Sequence, residues 1–359
     1  MVVLHIASLS ADPFDGVSVV VPQHVAAQGR YADTALINIT NEPVGGVRQL
    51  PFEKPFDPAR LPAPYDRPDA VVFHEVYRPA YLRMGALLRK KGIPYIVVPH
   101  GELKKEAQQK KRLKKMAANL LLFGRFVSGA CAVQCLSERE KAETAFGRVK
   151  FVGTNGVTIP PLRKESFRPD GLRFLYIGRL EERVKGLDLM IDAVRREGAL
   201  LRERHCTLSI YGPDYQGRYA RVEELIRQAG VEDIVRLDHE LTGAAKEREL
   251  LDADVFIQTS RSEGMPLGIL EAMSYGLPVL ITEGTSLASL VAHSGAGWTA
   301  ATESAAIAGA LRAAVVQADT LGERSACARR LAESRFDWPA VAGAALEKYR
   351  EVCTCGEHD

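Results

Sequence analysis

Apolar runs of four to seven residues, rich in Val, Ile, Leu and Tyr and bounded by Gly, Pro, Ser or Asn, recur along the chain. They occupy 2–7, 34–40, 71–74, 95–98, 130–135, 149–152, 172–177, 208–211, 234–237, 255–259 and 279–282. Runs without polar alternation predict strands covered on both faces. Between them lie segments with helical period at 19–29, 79–91, 187–197 and 340–352. Another helix is predicted where Pro266 precedes Leu267, Leu270 and Met273 at helical spacing, with Gly276 and Pro278 closing it. Strands alternating with helices predict parallel, doubly wound sheets and an α/β fold. Seven prolines and two glycines in 41–69 predict an irregular connection, and Asn155-Gly156-Val157 before Pro160-Pro161 predicts a hinge. The expected domains are 1–163, completed by a helix at 338–355, and 164–337.

Length and composition agree with two soluble domains: 359 residues, 46% apolar and 26% charged. No apolar run reaches about 18 residues, and the start lacks a basic stretch followed by a long apolar core. A cytoplasmic protein without a membrane span is the expectation. Six cysteines, at 131, 135, 206, 327, 353 and 355, include no C-x-x-C pair. They read as reduced thiols, the last two in a frayed tail.

The net charge of +2 conceals a division: residues 1–163 hold 23 Lys and Arg against 14 Asp and Glu, and the remainder holds 24 against 31. Much of the excess is in 103–127, which has eight basic residues and one acidic, Glu106. Leu113, Met116, Ala117, Leu120, Phe123 and Val127 fall on one helical stripe. This segment predicts a basic amphipathic helix placing Lys104, Lys105, Lys110, Lys111, Lys114 and Lys115 on an anionic membrane surface. Its shortage of aromatic side chains for base stacking argues against nucleic acid.

Candidate chemistry gathers at predicted strand ends, where parallel sheets bind ligands. The turn 260–264 leads into the helix opened by Pro266, so the N–H groups of Gly264, Met265 and Leu267 offer an anion site, with Glu263 and Glu271 beside it. Arg179 follows one strand and Lys185 precedes the next helix, a spacing that can clamp a diphosphate from two sides. His100, between Pro99 and Gly101, and His74 end strands of the first domain, and Gly16 lies in its first strand-to-helix loop.

The stretch S-x-x-E-G-x-P-x-x-x-x-E-A-x-x-x-G-x-P-V, Ser260 to Val279, resembles the carboxyl-terminal signature of family 4 glycosyltransferases, which have the GT-B fold. That resemblance extends over nearly the whole chain. It implies two Rossmann-like domains facing across a cleft, with a terminal helix crossing back to the first. A nucleotide-diphosphate sugar would occupy the second domain and the acceptor the first. By resemblance Arg179 and Lys185 hold the diphosphate, Glu271 the ribose, Glu263 the donor sugar, and His100 stands beside the transferred sugar. His74, at an equivalent strand end, is a further candidate for the acceptor side. Gly16 matches the loop that approaches the donor phosphate or acceptor, although most of the family has two glycines where this chain has Asp15 before Gly16. The family's nucleobase turn corresponds to Asp238-His239-Glu240-Leu241, which lacks the usual glycine and leaves UDP and GDP both open.

No Asp-x-Asp metal motif is assigned, so the resemblance implies a retaining transferase with no metal or other cofactor, acting on a lipid-linked glycan in cell-surface polysaccharide synthesis. The alternatives are a catalytically silent GT-B scaffold that binds a membrane or partner transferase, and a nucleotide-sugar 2-epimerase.

Overall fold

Because the apolar runs are buried on both faces, they pair side by side in parallel and leave the helices to cover the two sides of each sheet. A computed structural model describes residues 1–12, 15–109, 116, 118–214 and 217–354. The chain divides into two units: Met1–Gly156 with Trp338–Asp359, and Val157–Asp337.

The first unit contains β1 (Val2–Ala7), β2 (Asp33–Asn38), β3 (Gln49–Leu50), β4 (Ala70–His74), β5 (Tyr95–Val98), β6 (Ala132–Cys135) and β7 (Lys150–Val152), in the order β3-β2-β1-β4-β5-β6-β7. The second contains β8 (Arg173–Ile177), β9 (Thr207–Tyr211), β10 (Val235–Asp238), β11 (Val255–Gln258), β12 (Val279–Thr282) and β13 (Gly297–Ala300), in the order β10-β9-β8-β11-β12-β13. All pairs are parallel. In both sheets the winding reverses beside the first strand, between β1 and β4 and between β8 and β11. At such a switch point the loops diverge and leave a crevice at the carboxyl edge.

Each unit has its own core. Leu4, Ile6, Ile37, Phe73 and Val97 are buried in the first, where the Phe126 ring stacks on Tyr95. Tyr176, Met190, Ile210, Ile257 and Leu280 are buried in the second. The helix Trp338–Thr354 belongs to the first unit and packs on α1 (Gly16–Gln28).

Several expectations require correction. The boundary falls at Gly156–Val157, not at 163, because the Val157 N–H donates to the Phe336 carbonyl (2.7 Å) and that of Lys164 to Tyr275 (2.8 Å). Two short strands, β3 and β13, went unforeseen: the first lies in the proline-rich connection, and Gly297 interrupts the apolar pattern of the second. The segment 103–127 is not one regular helix among its described residues. A helix spans Lys105–Gln109, a π-helical turn Asn119–Phe123, and a further helix Gly124–Ser128. Phe123 and Val127 are buried as the stripe requires, whereas Met116 is 58% exposed. Lys104 is 3% exposed and lies near Glu140, so it offers no charge to a surface; Lys105 is exposed. Lys110, Lys111, Lys114 and Lys115 lie outside the described residues. Cys353 is part of the terminal helix rather than a frayed tail, and its thiol lies near that of Cys131.

Candidate active site

Glycines fix the carboxyl edge of the second sheet. Gly186, at φ +69°, precedes the helix Leu187–Arg196, and a Cβ there would lie 2.0 Å from the Thr259 carbonyl oxygen. The Thr259 hydroxyl donates to the Gly186 carbonyl (2.8 Å). Only glycine allows the Lys185-Gly186 turn to close on the end of β11, and this contact carries Lys185 to Glu263. The Lys185 ammonium is ion-paired with Glu263 Oε1, which also accepts from Ser260 Oγ (3.1 Å) and Gln258 Nε2 (3.2 Å). Both partners are largely enclosed, so water screens this pair weakly.

Around that cluster, the Arg261 guanidinium holds Asp188 with two bonds (2.6 and 2.7 Å), tying the 260–264 turn to the helix Leu187–Arg196. Glu263 N–H donates to the Gly284 carbonyl (3.0 Å). The helix Leu267–Ser274 then begins with Pro266 at its cap, and no side chain caps it. Among the described residues the N–H groups of Leu267 and Gly268 donate to no acceptor. They present the positive end of a helix dipole beside Glu263. Gly264 has open space where a Cβ would stand, and Met265 is buried. Glu271, in the second turn, is ion-paired with Lys246. Arg179 follows β8 at the switch point, half exposed, with Nη2 3.9 Å from Glu181. His239 lies beyond β10 with its ring stacked on Tyr219 (4.8 Å), and Leu241 is partly buried. Lys185 and Glu263 are thus joined directly, while Glu271 is held by a residue that sequence reading overlooked.

An Asp-x-Asp triplet does occur, contrary to the sequence reading: Asp252-Ala253-Asp254. It stands at the amino end of β11, where Arg168 and Arg173 pair with Asp252, and Arg168 and Lys164 pair with the buried Asp254.

In the first unit the switch point carries imidazoles. His74 ends β4 and is buried, and its Nδ1 lies 3.0 Å from His100 Nε2. On its other side, His74 Nε2 lies 3.0 Å from Nδ1 of His5, a residue in the middle of β1. His5 Nε2 lies 3.0 Å from Gln28 Oε1, and Gln28 Nε2 lies 2.7 Å from His24 Nε2, both of the latter residues on α1. Burial holds His24 at about 4; burial and then repulsion from His24 hold His5 at about 3 and His100 at about 4. His74, buried among the others, is pushed well below its ordinary value. All four rings are neutral near pH 7. His5, His24 and Gln28 escaped the sequence reading, although a histidine inside the apolar run 2–7 was a visible signal, since buried imidazoles require partners.

The loops above are held in unusual backbone conformations. Glu75 and His100 have φ of 70° and 48°, a region costing a non-glycine residue about 1–3 kcal/mol. Hydrogen bonds offset that strain: Glu140, buried, accepts from the N–H groups of Gly101 and Leu136 (2.7 Å each), and Glu102 from Val76 (2.6 Å). Burial pushes Glu75 up to about 7 despite its ion pair with Arg78. Asp15, where the family pattern calls for glycine, caps α1, accepting from Val17 N–H (3.4 Å) and Ser18 Oγ (2.6 Å). Gly16 beside it is exposed, and a Cβ there would meet no atom within 4 Å.

The family model of the glycosyl transferases group 1 matches residues 160–328, which contain the second sheet and the Lys185–Glu263 cluster. Those residues are similar to the glycosyl transferases group 1 domain. Over 237 residues the chain is 28% identical to a phosphatidyl-myo-inositol mannosyltransferase of Mycobacterium leprae, covering 64% of this chain and 61% of that protein. Over 196 residues it is 27% identical to a GDP-mannose:cellobiosyl-diphosphopolyprenol alpha-mannosyltransferase of Xanthomonas campestris, covering 54% and 51%. The chain therefore spans between half and two thirds of the length of these curated relatives. Among solved structures, Anabaena Alr3699/HepE in complex with UDP and glucose matches with a TM-score of 0.73 at 18% identity, covering 97% of this chain and 99% of that one. That likeness, with the two parallel sheets, shows the GT-B fold.

Proposed function

We propose that the protein is a retaining family 4 glycosyltransferase that moves a sugar from UDP- or GDP-sugar to a hydroxyl of a lipid-linked glycan in cell-surface polysaccharide synthesis, without a metal ion. The observation that carries this reading is the cluster at the end of β11, where Lys185, Glu263, Gln258 and Ser260 are hydrogen-bonded together beside an uncapped helix start. The two relatives named above are mannosyltransferases whose names specify a phosphatidyl-inositol and a diphosphopolyprenol acceptor, which supports a lipid-linked substrate.

In this mechanism the departing diphosphate develops negative charge that Lys185, Arg179 and the N–H groups of Gly264, Met265 and Leu267 stabilise. Without ligand, Glu263 keeps Lys185 in place; with a donor bound, its carboxylate accepts from sugar hydroxyls. Glu271 exchanges Lys246 for the ribose hydroxyls, and the nucleobase lies beside His239 and Leu241. The acceptor oxygen forms its bond to the anomeric carbon on the face from which the diphosphate departs, and a diphosphate oxygen takes the acceptor's proton. His100 lines the acceptor side, with the buried His74 behind it rather than facing the ligand as expected, and Gly16 leaves room for the ligand to approach the backbone.

Calorimetric titration with UDP-glucose and GDP-mannose tests the reading, with saturable binding of at least one expected. Lys185→Ala should lower kcat/KM by about 100- to 1000-fold, the usual loss for a group that stabilises developing charge. A loss under tenfold in folded protein, or no saturable binding of either nucleotide sugar, overturns the assignment. Conversion of the nucleotide sugar without acceptor selects the epimerase instead. The remaining basic residues, Lys105 and those at 110, 111, 114 and 115, are proposed to hold the protein on the inner membrane face at about 1 kcal/mol each. Cosedimentation with phosphatidylglycerol vesicles, but not with phosphatidylcholine vesicles, is the expected result.

A further inference from the structure

The imidazoles beneath the first switch point form one directed chain of hydrogen bonds, and its direction is set far from His100. Gln134 Nε2 donates to the Gly153 carbonyl (2.9 Å), an atom that can only accept. Gln134 must therefore turn its Oε1 to the buried Tyr349 hydroxyl, which donates to it (2.7 Å). The Tyr349 hydroxyl, its proton so committed, lies beside Gln28 and favours the amide's NH2 group over its oxygen on that side. Gln28 accordingly presents its NH2 group to His24 (2.7 Å) and its Oε1 to His5 (3.0 Å).

The consequence passes from ring to ring, since each neutral imidazole has one donor and one acceptor nitrogen. His5 donates from Nε2 to Gln28 and accepts at Nδ1 from His74 Nε2. His74 accepts at Nδ1 from His100 Nε2. His100 consequently carries its proton on Nε2, and its Nδ1 is a bare lone pair that, among the described residues, has no hydrogen-bond partner. Asp15 is the nearby charge and, as an acceptor, cannot satisfy that lone pair.

We propose that Gln28, acting through His5 and His74, is a positioning residue that locks His100 in the Nε2–H tautomer so that Nδ1 accepts a hydrogen bond from a substrate hydroxyl. This rests on the glycosyltransferase reading for the identity of the substrate, but the tautomer itself does not. A lone pair that cannot become a donor distinguishes a hydroxyl from a carbonyl or phosphate oxygen at that point, so the relay converts a remote backbone carbonyl into a rule about what His100 may touch.

Nitrogen-15 NMR of the full chain labelled at histidine, with His100 assigned by loss of its signals in His100→Gln, tests the tautomer without any assay of activity. The expected spectrum has His100 Nε2 protonated and Nδ1 unprotonated. Gln28→Leu, which can neither accept nor donate, should give averaged shifts for His100 and lower kcat/KM by about 10- to 100-fold, the range seen when groups orienting a histidine are removed. Gln28→Glu, which still accepts from His5 but cannot donate, should restore both the tautomer and most of the rate. Wild-type His100 protonated on Nδ1, or unchanged by Gln28→Leu, overturns the proposal even if that variant is poorly active.

Adding UDP-glucose or GDP-mannose alone should shift Nδ1 if the hydroxyl belongs to the donor. A shift only when cellobiosyl-diphosphopolyprenol is also present assigns it to the acceptor, and no shift in either case overturns the contact. A correct tautomer in a protein that binds neither nucleotide sugar leaves the relay standing and removes the transferase reading instead.

Discussion

Individual residues in this chain differ sharply in what their surroundings demand of them, and two glycines show it. Gly186 has positive φ and stands against the Thr259 carbonyl, where a Cβ would lie at 2.0 Å. Gly186→Ala should therefore destabilise the second unit by about 2 kcal/mol or more, measured as a lowered urea midpoint at unchanged slope. Gly16 meets nothing and has no such φ. Gly16→Ala should leave stability within about 0.5 kcal/mol of wild type in the same experiment. Both glycines were expected in loops, whereas Gly16 opens α1, and only the neighbouring strand reveals that Gly186 is obligatory for folding and Gly16 is not.

At the scale of elements, the helix Trp338–Thr354 decides whether the first unit is complete. Trp338 packs on Gly156, where a Cβ would come within 2.4 Å of its ring, lies 5.7 Å from the His24 ring, and donates from Nε1 to Gln23 (3.1 Å). Trp338→Ala should cost about 3–5 kcal/mol, lowering the transition of the first unit and leaving that of the second in place. Tyr349→Phe should cost about 1–3 kcal/mol, because Gln134 loses a buried partner. Thermal denaturation followed by calorimetry reads both variants. A terminal apolar helix was apparent from periodicity alone, and the residues that make it essential lie far away in sequence, at Gln23 and His24 in α1 and at Gln134 and Gly156.

For the molecule as a whole, the two units should respond differently to acid. His5, His24, His74 and His100 all belong to the first unit and all bind protons less readily when folded. Between about pH 6.5 and pH 4 the unfolded chain binds more protons, so stability falls with pH, by up to about 1.4 kcal/mol per pH unit for each histidine. Glu75, raised to about 7, works in the opposite direction over part of that range and offsets about one histidine. In the second unit Asp192 is held at about 2 by hydrogen bonds to Ser304, Arg196 and Arg195 against the opposing effect of burial. Its stabilising effect persists above its unfolded value near 3.8 and is lost only below it. Calorimetry at pH 5 should resolve two transitions, the lower from the first unit, that draw together at pH 7.5. A single transition with the same midpoint at both pH values would contradict this account.

The α/β class, most strands, the placing of Arg179, His74 and His100 at strand ends, and that of Glu263 in a turn, Lys185 before a helix and Glu271 within one could be read from the sequence, because burial on both faces writes a local apolar pattern and turns write glycine and proline. Pairing between distant segments writes nothing local. Tertiary structure alone brings Glu263 to Lys185 and Glu271 to Lys246, moves the unit boundary to Gly156, buries Lys104, and places Asp252-Ala253-Asp254 at the amino end of its strand among arginines. It also sets the hydrogen-bonded row Gly153, Gln134 and Tyr349 beside the row Gln28, His5, His74 and His100. Each of those partners satisfies a buried polar group, a requirement that is visible in the chain only as a polar residue among apolar ones and is met only where the fold supplies a complementary atom.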